Sequence, residues 1–400
     1  MTYRELSDIL GHIAVPRPNH SSALDSTADF IKKTLLGWDV PFFVQAFDLY
    51  PYAQLLVGLW SLACAAVFFG ATLLDNPFAA TGGLILLTVV MVLELVRSVP
   101  LVSRLKKRRG ENIVIRFVPK RPRRELIFSA HYDSKTDVWD HVQRERVYRR
   151  LPASLLLGLG VCGWLFAAYY RPDLSGFTPR IIASSAAGLV LLYFVFFFIA
   201  LGGYILIPKH RQSRGAVDDG ASVVSLLFLA RRLKQKAVTI GDSAVTILLT
   251  SGEEVGLQGA RAYAKERFSA HPAGGARPVS VVNLEAAGQG GNLCHWRRYG
   301  LSMNYKRPDA NLVFRLNKAW EKISGGIMDE CDRITDDSLV YLSGGIPAVT
   351  IGNSGLPGKG LAGFHTTADA VSRVDYKNIA LVHTLLKQYI ESYLTDRRIE

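Results

Sequence analysis

Five short clusters of histidine and acidic residues could bind a divalent metal. They are HYD at 131–133, DDGAS at 218–222, EE at 253–254, NLE at 283–285 and HTTAD at 365–369. Each cluster alone has an ordinary explanation, such as a surface histidine, a helix cap or a solvated helix face. Together they offer two imidazoles and several carboxylates, which are the nitrogen and oxygen ligands that suit zinc. This set is about what two zinc ions need if one carboxylate bridges them.

Two of the clusters combine a histidine with a nearby carboxylate. Asp133 follows His131 by two positions, and Asp369 follows His365 by four positions. A metal-bound imidazole commonly gives its second ring nitrogen to a carboxylate, which fixes the tautomer of the ring. The spacing therefore allows a carboxylate to hold each histidine in place.

Apolar runs supply the framework that must position these clusters. Alternating or continuous apolar runs predict strands, and apolar residues at helical spacing predict helices between them. The predicted strands are residues 44–49, 112–118, 125–130, 243–250, 278–283 and 348–351, and the predicted helices are residues 23–36, 221–233, 257–267, 312–323 and 378–393. This alternation predicts a three-layer α/β sandwich around a mostly parallel, mixed sheet. Most of the clusters lie just past strand ends, where sites form in such sheets.

Four long apolar runs interrupt this framework in the first half of the chain. They cover residues 54–74, 78–96, 151–170 and 181–207, and about 20 apolar residues span a bilayer as a helix. Short connections pair the runs into two transmembrane hairpins. The alternative, buried helices of a large soluble protein, explains one such run better than it explains four.

The net charge of +13 is distributed in a way that predicts membrane orientation. The segments outside the hairpins contain four basic stretches, which are RLKKRR, KRPRR, RERVYRR and KHRQSR. The hairpin turns contain only two basic residues, Arg171 and Arg180. Positive charge is retained on the cytoplasmic side during insertion. We therefore expect an integral membrane protein whose polar part faces the cytoplasm. No nucleic-acid-binding motif accompanies the charge, so we expect no nucleic-acid partner.

The hairpins are predicted to be insertions in one folded domain. Residues 1–53, 97–150 and 208–400 form the polar domain, and residues 54–96 and 151–207 form the two hairpins. The second hairpin separates the first cluster from the other four, so the site is expected to lie close to the bilayer surface. Membrane-associated or amphipathic peptides are the substrates that this arrangement suggests.

The five clusters together resemble those of the di-zinc aminopeptidase family, which includes glutamate carboxypeptidase and the transferrin-receptor-like proteins. The HxD, DDxAS, GEE, NLE and HTxxD blocks stand in the family's order. Residues 16–47 also resemble the family's N-terminal helix and strand. The NLEAAG stretch and the apolar runs are similar to the membrane-integrated metallopeptidases of the endoplasmic reticulum and the vacuole.

The resemblance implies a role for each residue of the clusters. Two zinc ions would be held by five ligands, which are His131, Asp219, Glu254, Glu285 and His365. Asp219 would bridge the two ions, with Asp218 as the alternative, and Glu285 stands where the family often has aspartate. Glu253 would act as general base on a zinc-activated water, while Asp133 and Asp369 would orient the two imidazoles.

The implied activity is that of a zinc-dependent membrane metallopeptidase, most simply an aminopeptidase that hydrolyses peptide bonds. One alternative is one-zinc amide or cyclase chemistry on the same fold, although relatives of that kind use fewer ligands. Another is a non-enzymatic membrane receptor or scaffold, although such proteins usually lose ligands that this chain retains. The motifs do not choose between exopeptidase and endopeptidase action, and they indicate no particular oligomeric state.

Overall fold

A computed structural model describes residues 2–96, 101–236, 240–268, 277–300, 305–355 and 360–395. The chain divides into two compact units, which we call the α/β unit and the helical unit. The α/β unit consists of Met1–Pro51, Arg108–Thr136 and Lys209–Glu400, and the helical unit consists of Tyr52–Lys107 and Asp137–Pro208. Residue 97, a predicted boundary, lies outside the described residues, and the division drawn from the sequence stays a prediction.

Eight strands form a single mixed sheet in the α/β unit. In chain order they are β1 (Phe43–Leu49), β2 (Arg108–Phe117), β3 (Arg124–His131), β4 (Ser243–Thr250), β5 (Val279–Leu284), β6 (Leu293–Tyr299), β7 (Asp329–Ile334) and β8 (Ala348–Asn353). Their order across the sheet is β1-β2-β4-β3-β5-β8-β6-β7. The central neighbours β4, β3, β5 and β8 run parallel. The pairs β1/β2, β2/β4 and β6/β8 run antiparallel, so the predicted mixed sheet is confirmed.

The described residues contain twelve α-helices. They are α1 (Tyr3–Ile13), α2 (Ser22–Gly37), α3 (Ala53–Leu73), α4 (Pro77–Met91), α5 (His141–Arg149), α6 (Leu151–Tyr170), α7 (Phe177–Gly202), α8 (Ala221–Lys234), α9 (Gln258–Phe268), α10 (Ala310–Ser324), α11 (Ser338–Ser343) and α12 (Tyr376–Thr395). Helices α3 to α7 belong to the helical unit, and the remaining seven belong to the α/β unit.

Both faces of the sheet are buried, which makes the α/β unit a three-layer sandwich. Leu126 and Phe128 of β3 point into the larger core, where residues of α1, α2, α8, α10 and α12 also pack. Ile127, between them, points to the opposite face and packs with Tyr263 of α9 and Tyr341 of α11. Successive side chains of a strand alternate between faces, so an apolar run such as that of β3 requires helices on both sides.

A buried ion cluster anchors the start of β3, at the sheet edge opposite to the strand's carboxyl end. The Glu125 carboxylate is fully buried and accepts from Arg116 Nη2 at 3.5 Å, Arg267 Nη2 at 2.5 Å and Thr246 Oγ1 at 2.7 Å. Removing one partner of a buried pair costs about 3–5 kcal/mol. The two arginines keep a quarter to a third of their side chains exposed, so their loss is partly compensated by water.

We expect Glu125→Gln to lower the free energy of unfolding by about 2 kcal/mol, because two arginines then lack a carboxylate. Thermal unfolding of the purified protein in detergent measures the change. Glu266→Gln, at a less buried position on α9, serves as the control. Equal midpoints for the two variants would contradict the assigned role of Glu125.

Four helices of the helical unit are long and apolar enough to cross a membrane, as predicted. The spans are Ala53–Leu73, Pro77–Glu94, His141–Tyr170 and Phe177–Leu206. Their mean hydropathies range from 1.8 to 2.6. Phe68, Phe194 and Phe197 are fully buried where these helices pack together. The third span includes α5, whose sequence is strongly basic, together with the apolar α6.

Candidate metal centre

The predicted clusters meet at the carboxyl ends of the central parallel strands. His131 is the last residue of β3, Glu254 follows the end of β4, and Glu285 directly follows β5. Because β4, β3 and β5 are parallel neighbours, their carboxyl ends share one edge of the sheet. Asp218 lies in the turn before α8, and His365 lies in the loop after β8. The structure therefore brings both histidines together with the acidic clusters.

Asp218 lies between the two histidines. Its Oδ1 is 3.2 Å from His131 Nε2, and its Oδ2 is 3.0 Å from His365 Nε2. Burial opposes ionisation of this carboxyl, but its hydrogen bonds with both rings hold its pKa well below the usual value. One carboxylate thus presents one oxygen to each imidazole, which is the arrangement that a bridging ligand requires.

Two glutamates complete two adjoining sets of metal-ligating atoms. Glu254 Oε1 lies 3.0 Å from His365 Nε2, and Glu285 Oε2 lies 3.7 Å from His131 Nε2. The ligand atoms of Asp218, Glu254 and His365 all lie within 4.8 Å of one another, as do those of His131, Asp219 and Glu285. Glu285 Oε2 is buried and has no hydrogen-bond partner in the described chain. This oxygen, with imidazole nitrogens beside it, fits the donor set that zinc takes.

Asp219 belongs to the second of these sets, but both of its oxygens also accept hydrogen bonds from the backbone. Its Oδ2 accepts from the amide of His131 and its Oδ1 from the amide of Ala286, both at 3.3 Å. Burial raises its pKa well above the usual value, and the charge of Glu285 adds to this effect. The geometry therefore favours Asp218 over Asp219 between the rings, whereas the sequence interpretation preferred Asp219 and kept Asp218 as the alternative.

Asp133 holds both a histidine and the turn that carries the two glutamates. Its Oδ1 lies 3.5 Å from His131 Nδ1, which is a long contact, and accepts from the Glu253 amide at 3.3 Å. Its Oδ2 accepts from the Glu254 amide at 3.1 Å and from Asn19 Nδ2 at 2.7 Å. The carboxylate thus fixes the turn at 253–254 at least as firmly as it fixes the ring.

Glu253 lies next to the ligand atoms. One of its oxygens is within 4.8 Å of ligand atoms of both His131 and Glu254. Burial raises its pKa well above the usual value, and the charges of Glu254 and Glu285 raise it further. The residue before it, Gly252, has φ +76, and a Cβ there would lie 2.7 Å from a Leu49 methyl. Only glycine therefore fits the turn that presents Glu253.

Asp369 supports the turn of Asp218. It accepts hydrogen bonds from the amides of Val217 at 2.7 Å and Asp218 at 3.3 Å. Burial raises its pKa to about 7, with a further contribution from the Asp218 charge. Its predicted role in orienting His365 stays a prediction, since the contacts described here act on the backbone beside Asp218.

One known family matches the second half of the chain. The model described as "Peptidase family M28" matches residues 203–390, a stretch that includes every cluster except that of His131. Residues 203–390 thus resemble a peptidase family M28 domain, over somewhat less than half of the chain. The described residues also contain four helices that are long and apolar enough to cross a membrane.

Two curated relatives of this chain are vacuolar membrane proteases. That of Paracoccidioides brasiliensis is 36% identical over 102 residues, which is 24% of this chain and 9% of that protein. That of Aspergillus clavatus is 39% identical over 102 residues, which is 24% of this chain and 10% of that protein. The matched stretch thus spans about a tenth of these relatives.

Several solved structures have the same fold as this chain. A Zn-dependent exopeptidase from Parabacteroides distasonis has a TM-score of 0.54 at 17% identity, and 98% of each chain is covered. A glutaminyl cyclase from Fimbriiglobus ruber has a TM-score of 0.57 at 14% identity, with 97% of this chain and 94% of the cyclase covered. At these identities the likeness establishes the fold alone.

Arg17 is a buried residue beside the candidate metal centre that the sequence interpretation missed. Its guanidinium donates to five backbone carbonyls, which are those of Tyr132 at 2.5 Å, Ile13 at 3.0 Å, Val15 at 3.2 Å, Arg214 at 2.7 Å and Gly215 at 2.9 Å. These carbonyls flank both the HYD cluster and the turn of Asp218. Its one signal in the sequence is a lone arginine between two prolines, Pro16 and Pro18.

Two further carboxyls lie buried beside the candidate metal centre. Asp337 accepts from Thr250 Oγ1 at 2.7 Å, and Asp336 accepts from Thr350 Oγ1 at 2.6 Å. Burial raises the pKa of Asp336 to about 7 and that of Asp337 to about 6. Both bind residues at or near strand ends, so they brace the edge of the sheet from which the ligands project.

Proposed function

We propose that the chain is an integral-membrane zinc peptidase, most simply an aminopeptidase that binds two zinc ions. The observation that carries this proposal is the position of Asp218, with one carboxylate oxygen near each histidine Nε2. A single-metal site has no need of a carboxylate shared between two imidazoles. The family match and the vacuolar membrane relatives support peptide hydrolysis at a membrane.

Five residues would hold the two ions. His131 and Glu285 form one side, His365 and Glu254 form the other, and Asp218 joins them. Asp219, the ligand preferred from the sequence, takes the role of holding the backbone of His131 and Ala286. When bound, zinc polarises a carbonyl oxygen and makes water acidic enough to act as a nucleophile at neutral pH.

Glu253 would move the proton during hydrolysis. It is close enough to His131 and Glu254 to accept a proton from a water that attacks the scissile carbonyl. The same carboxyl then delivers that proton to the leaving amine. A pKa raised by burial suits this exchange, because a general base works best when its pKa approaches the operating pH. Asp133 keeps Glu253 in place by accepting a hydrogen bond from its amide.

We expect Glu253→Gln to retain about two zinc ions per chain and to lose about 10²–10⁴-fold in kcat, as removal of a general base does. Metal analysis and a panel of aminoacyl substrates measure the two quantities on the same preparation. Glu266→Gln, on the exposed side of α9, controls for the purification. Full activity in Glu253→Gln, with zinc retained, would refute the assignment.

The alternative of cyclase or other one-zinc chemistry gives different results in the same experiment. A cyclase retains one zinc and releases ammonia from an N-terminal glutamine without consuming water. Several neighbours with this fold are glutaminyl cyclases, so an N-terminal glutaminyl peptide belongs in the substrate panel. Absence of turnover on every substrate by the zinc-loaded wild type would favour a receptor or scaffold.

We also propose that the peptidase acts on membrane-associated or amphipathic peptides and that its polar part faces the cytoplasm. The chain leaves the α/β unit for the membrane helices after Pro51 and again after Thr136, so both sets of helices are inserted within that unit's sequence. We expect a lipid-anchored peptide to be cleaved with a KM at least tenfold lower than that of its soluble counterpart in vesicles, because anchoring raises its local concentration. Equal KM values would contradict this substrate class.

A further inference from the structure

Contacts between the membrane helices show which of their ends lie together in the helical unit. In the first half of α3, Ser61 Oγ lies 3.1 Å from Met91 Sδ at the end of α4. Gly58 of α3 faces Phe198, close to the end of α7. Helix α5 joins the same end, since Tyr193 of α7 donates to the Val147 carbonyl at 3.1 Å. One end of the unit therefore contains the start of α3, the ends of α4 and α7, and the junction of α5 and α6.

This end carries an excess of exposed positive charge. We call its exposed cations the basic collar, which consists of Arg104, Lys106, Lys107, Arg146, Arg149 and Arg150. The loop that contributes the first three is held by Glu94, which accepts from the amides of Leu101, Val102 and Ser103. The other three project from α5 and its junction with α6. Hydrogen bonds to Glu94 thus hold residues 101–103, next to the first three collar cations.

The acidic groups at this end are already engaged. Asp137 pairs with the buried Arg144, and Asp140 caps α5 by accepting from the Gln143 amide at 2.9 Å. Glu145 pairs with Arg149 at 3.2 Å along the helix. Basic residues therefore outnumber acidic ones among the described residues of this end, and the acids neutralise the collar only in part, at Arg149.

The opposite end of the helical unit has no such excess. Arg180 pairs with Asp75 at 3.1 Å, and Arg171 pairs with Asp173 at 2.9 Å. Each described cation there has its own carboxylate within the turn regions. Both ends thus contain basic and acidic residues, but only the end with the collar has an excess of positive charge. The opposite end therefore serves as a control within the same molecule.

We propose that the basic collar binds the headgroups of anionic phospholipids in the bilayer that the four helices span. Basic residues beside membrane helices attract anionic headgroups by about 1 kcal/mol each, which is a factor of about five in affinity. Lys106 stacks on the Tyr52 ring at 5.3 Å, so an aromatic ring of interfacial type stands beside the charge. The other explanation is that these charges only orient the helices during insertion.

The test uses the purified full-length chain in mixed micelles that contain equal amounts of phosphatidylglycerol and phosphatidylcholine with the same acyl chains. Native mass spectrometry counts the bound lipids of each kind. We expect bound phosphatidylglycerol to exceed phosphatidylcholine at least fivefold, and the excess to fall when sodium chloride is raised, because salt screens exposed charges. Inorganic phosphate at the same concentration should leave the bound lipids in place.

Two double variants provide matched controls. Arg146→Gln with Arg150→Gln removes two collar cations and should reduce the preference for phosphatidylglycerol by up to about 25-fold. A wild-type preference smaller than this factor should be abolished. Arg171→Gln with Arg180→Gln removes two cations from the opposite end and should leave the preference unchanged. Circular dichroism verifies that both variants are folded.

Three results would overturn the proposal. They are equal binding of the two lipids by the wild type, an unchanged preference after the collar substitutions, and displacement of phosphatidylglycerol by inorganic phosphate. Either of the first two results would indicate that these charges only orient the helices during insertion. The third would indicate that the collar binds phosphate in general rather than a lipid. None of these measurements depends on peptidase activity.

Discussion

Asp218→Asn is expected to lose most of the bound zinc and to reduce peptidase activity by on the order of 10³-fold or more. The substituted amide presents one oxygen where the carboxylate presents two, so it cannot face both His131 Nε2 and His365 Nε2 with negative charge. Bound zinc stabilises the transition state by several kcal/mol, and each loss of about 1.4 kcal/mol costs a factor of ten in rate. Metal analysis and initial rates measure both effects.

Asp219→Asn is the matched control, since it changes the adjacent carboxyl in the same way. Its carboxyl accepts from two backbone amides, and an asparagine oxygen still accepts one of these bonds. We expect zinc content close to that of the wild type and a loss in activity of no more than about 10–100-fold, the range for groups that hold a ligand in place. The reverse order, with Asp219→Asn losing zinc and Asp218→Asn retaining it, would return the bridging role to Asp219.

The adjacent aspartates show where sequence reasoning reaches its limit. The position of the DDGAS cluster among the motifs identifies it as part of a metal site. It does not determine which carboxyl points at the metals, because that depends on the path of the backbone through the turn before α8. That path is set by distant contacts, such as the hydrogen bonds from Val217 and Asp218 to Asp369.

The central strands of the sheet could be predicted from the sequence, whereas the edge strand β7 could not. Strands β3, β4 and β5 are continuous apolar runs because both of their faces are buried, and the sequence identifies all three. Strand β7 (DECDRI) is an edge strand with mostly exposed side chains, so its sequence has no apolar pattern. Helix α1 has a signal that can be read from the sequence, the capping box formed by Thr2 and Glu5.

Arg17 illustrates a second kind of contact that the sequence does not reveal. A buried arginine usually pairs with a carboxylate, but the five hydrogen bonds described for this guanidinium all go to backbone carbonyls. The charges of Asp369, Asp133, Asp218 and Asp219 lie near enough to favour its protonated form against the effect of burial. The cation thus joins α1, the end of β3 and the turn of Asp218 while it offsets part of the negative charge of the site.

We expect Arg17→Gln to lower the free energy of unfolding by about 4 kcal/mol or more, because several buried carbonyls then lack a donor and each costs about 1–3 kcal/mol. A loss of this size is a large part of the stability of a typical domain, so we expect this variant to accumulate poorly as folded protein. Arg17→Lys, which keeps the charge but reaches fewer carbonyls, should fold with a loss of about 2 kcal/mol. Thermal unfolding in detergent measures both, with Arg109→Gln at an exposed position as the control.

The Arg17→Lys variant also separates a positioning role from a purely structural one. If Arg17 holds the turn of Asp218 against the end of β3, the lysine variant should keep its KM and lose about 10–100-fold in kcat, as outer supports of metal ligands do. The visible spectrum of the cobalt-substituted protein should shift as well, since it responds to the arrangement of the ligands. A folded Arg17→Lys variant with wild-type kcat and an unchanged cobalt spectrum would restrict Arg17 to stabilising the fold, because the ligand arrangement would then be independent of its five hydrogen bonds.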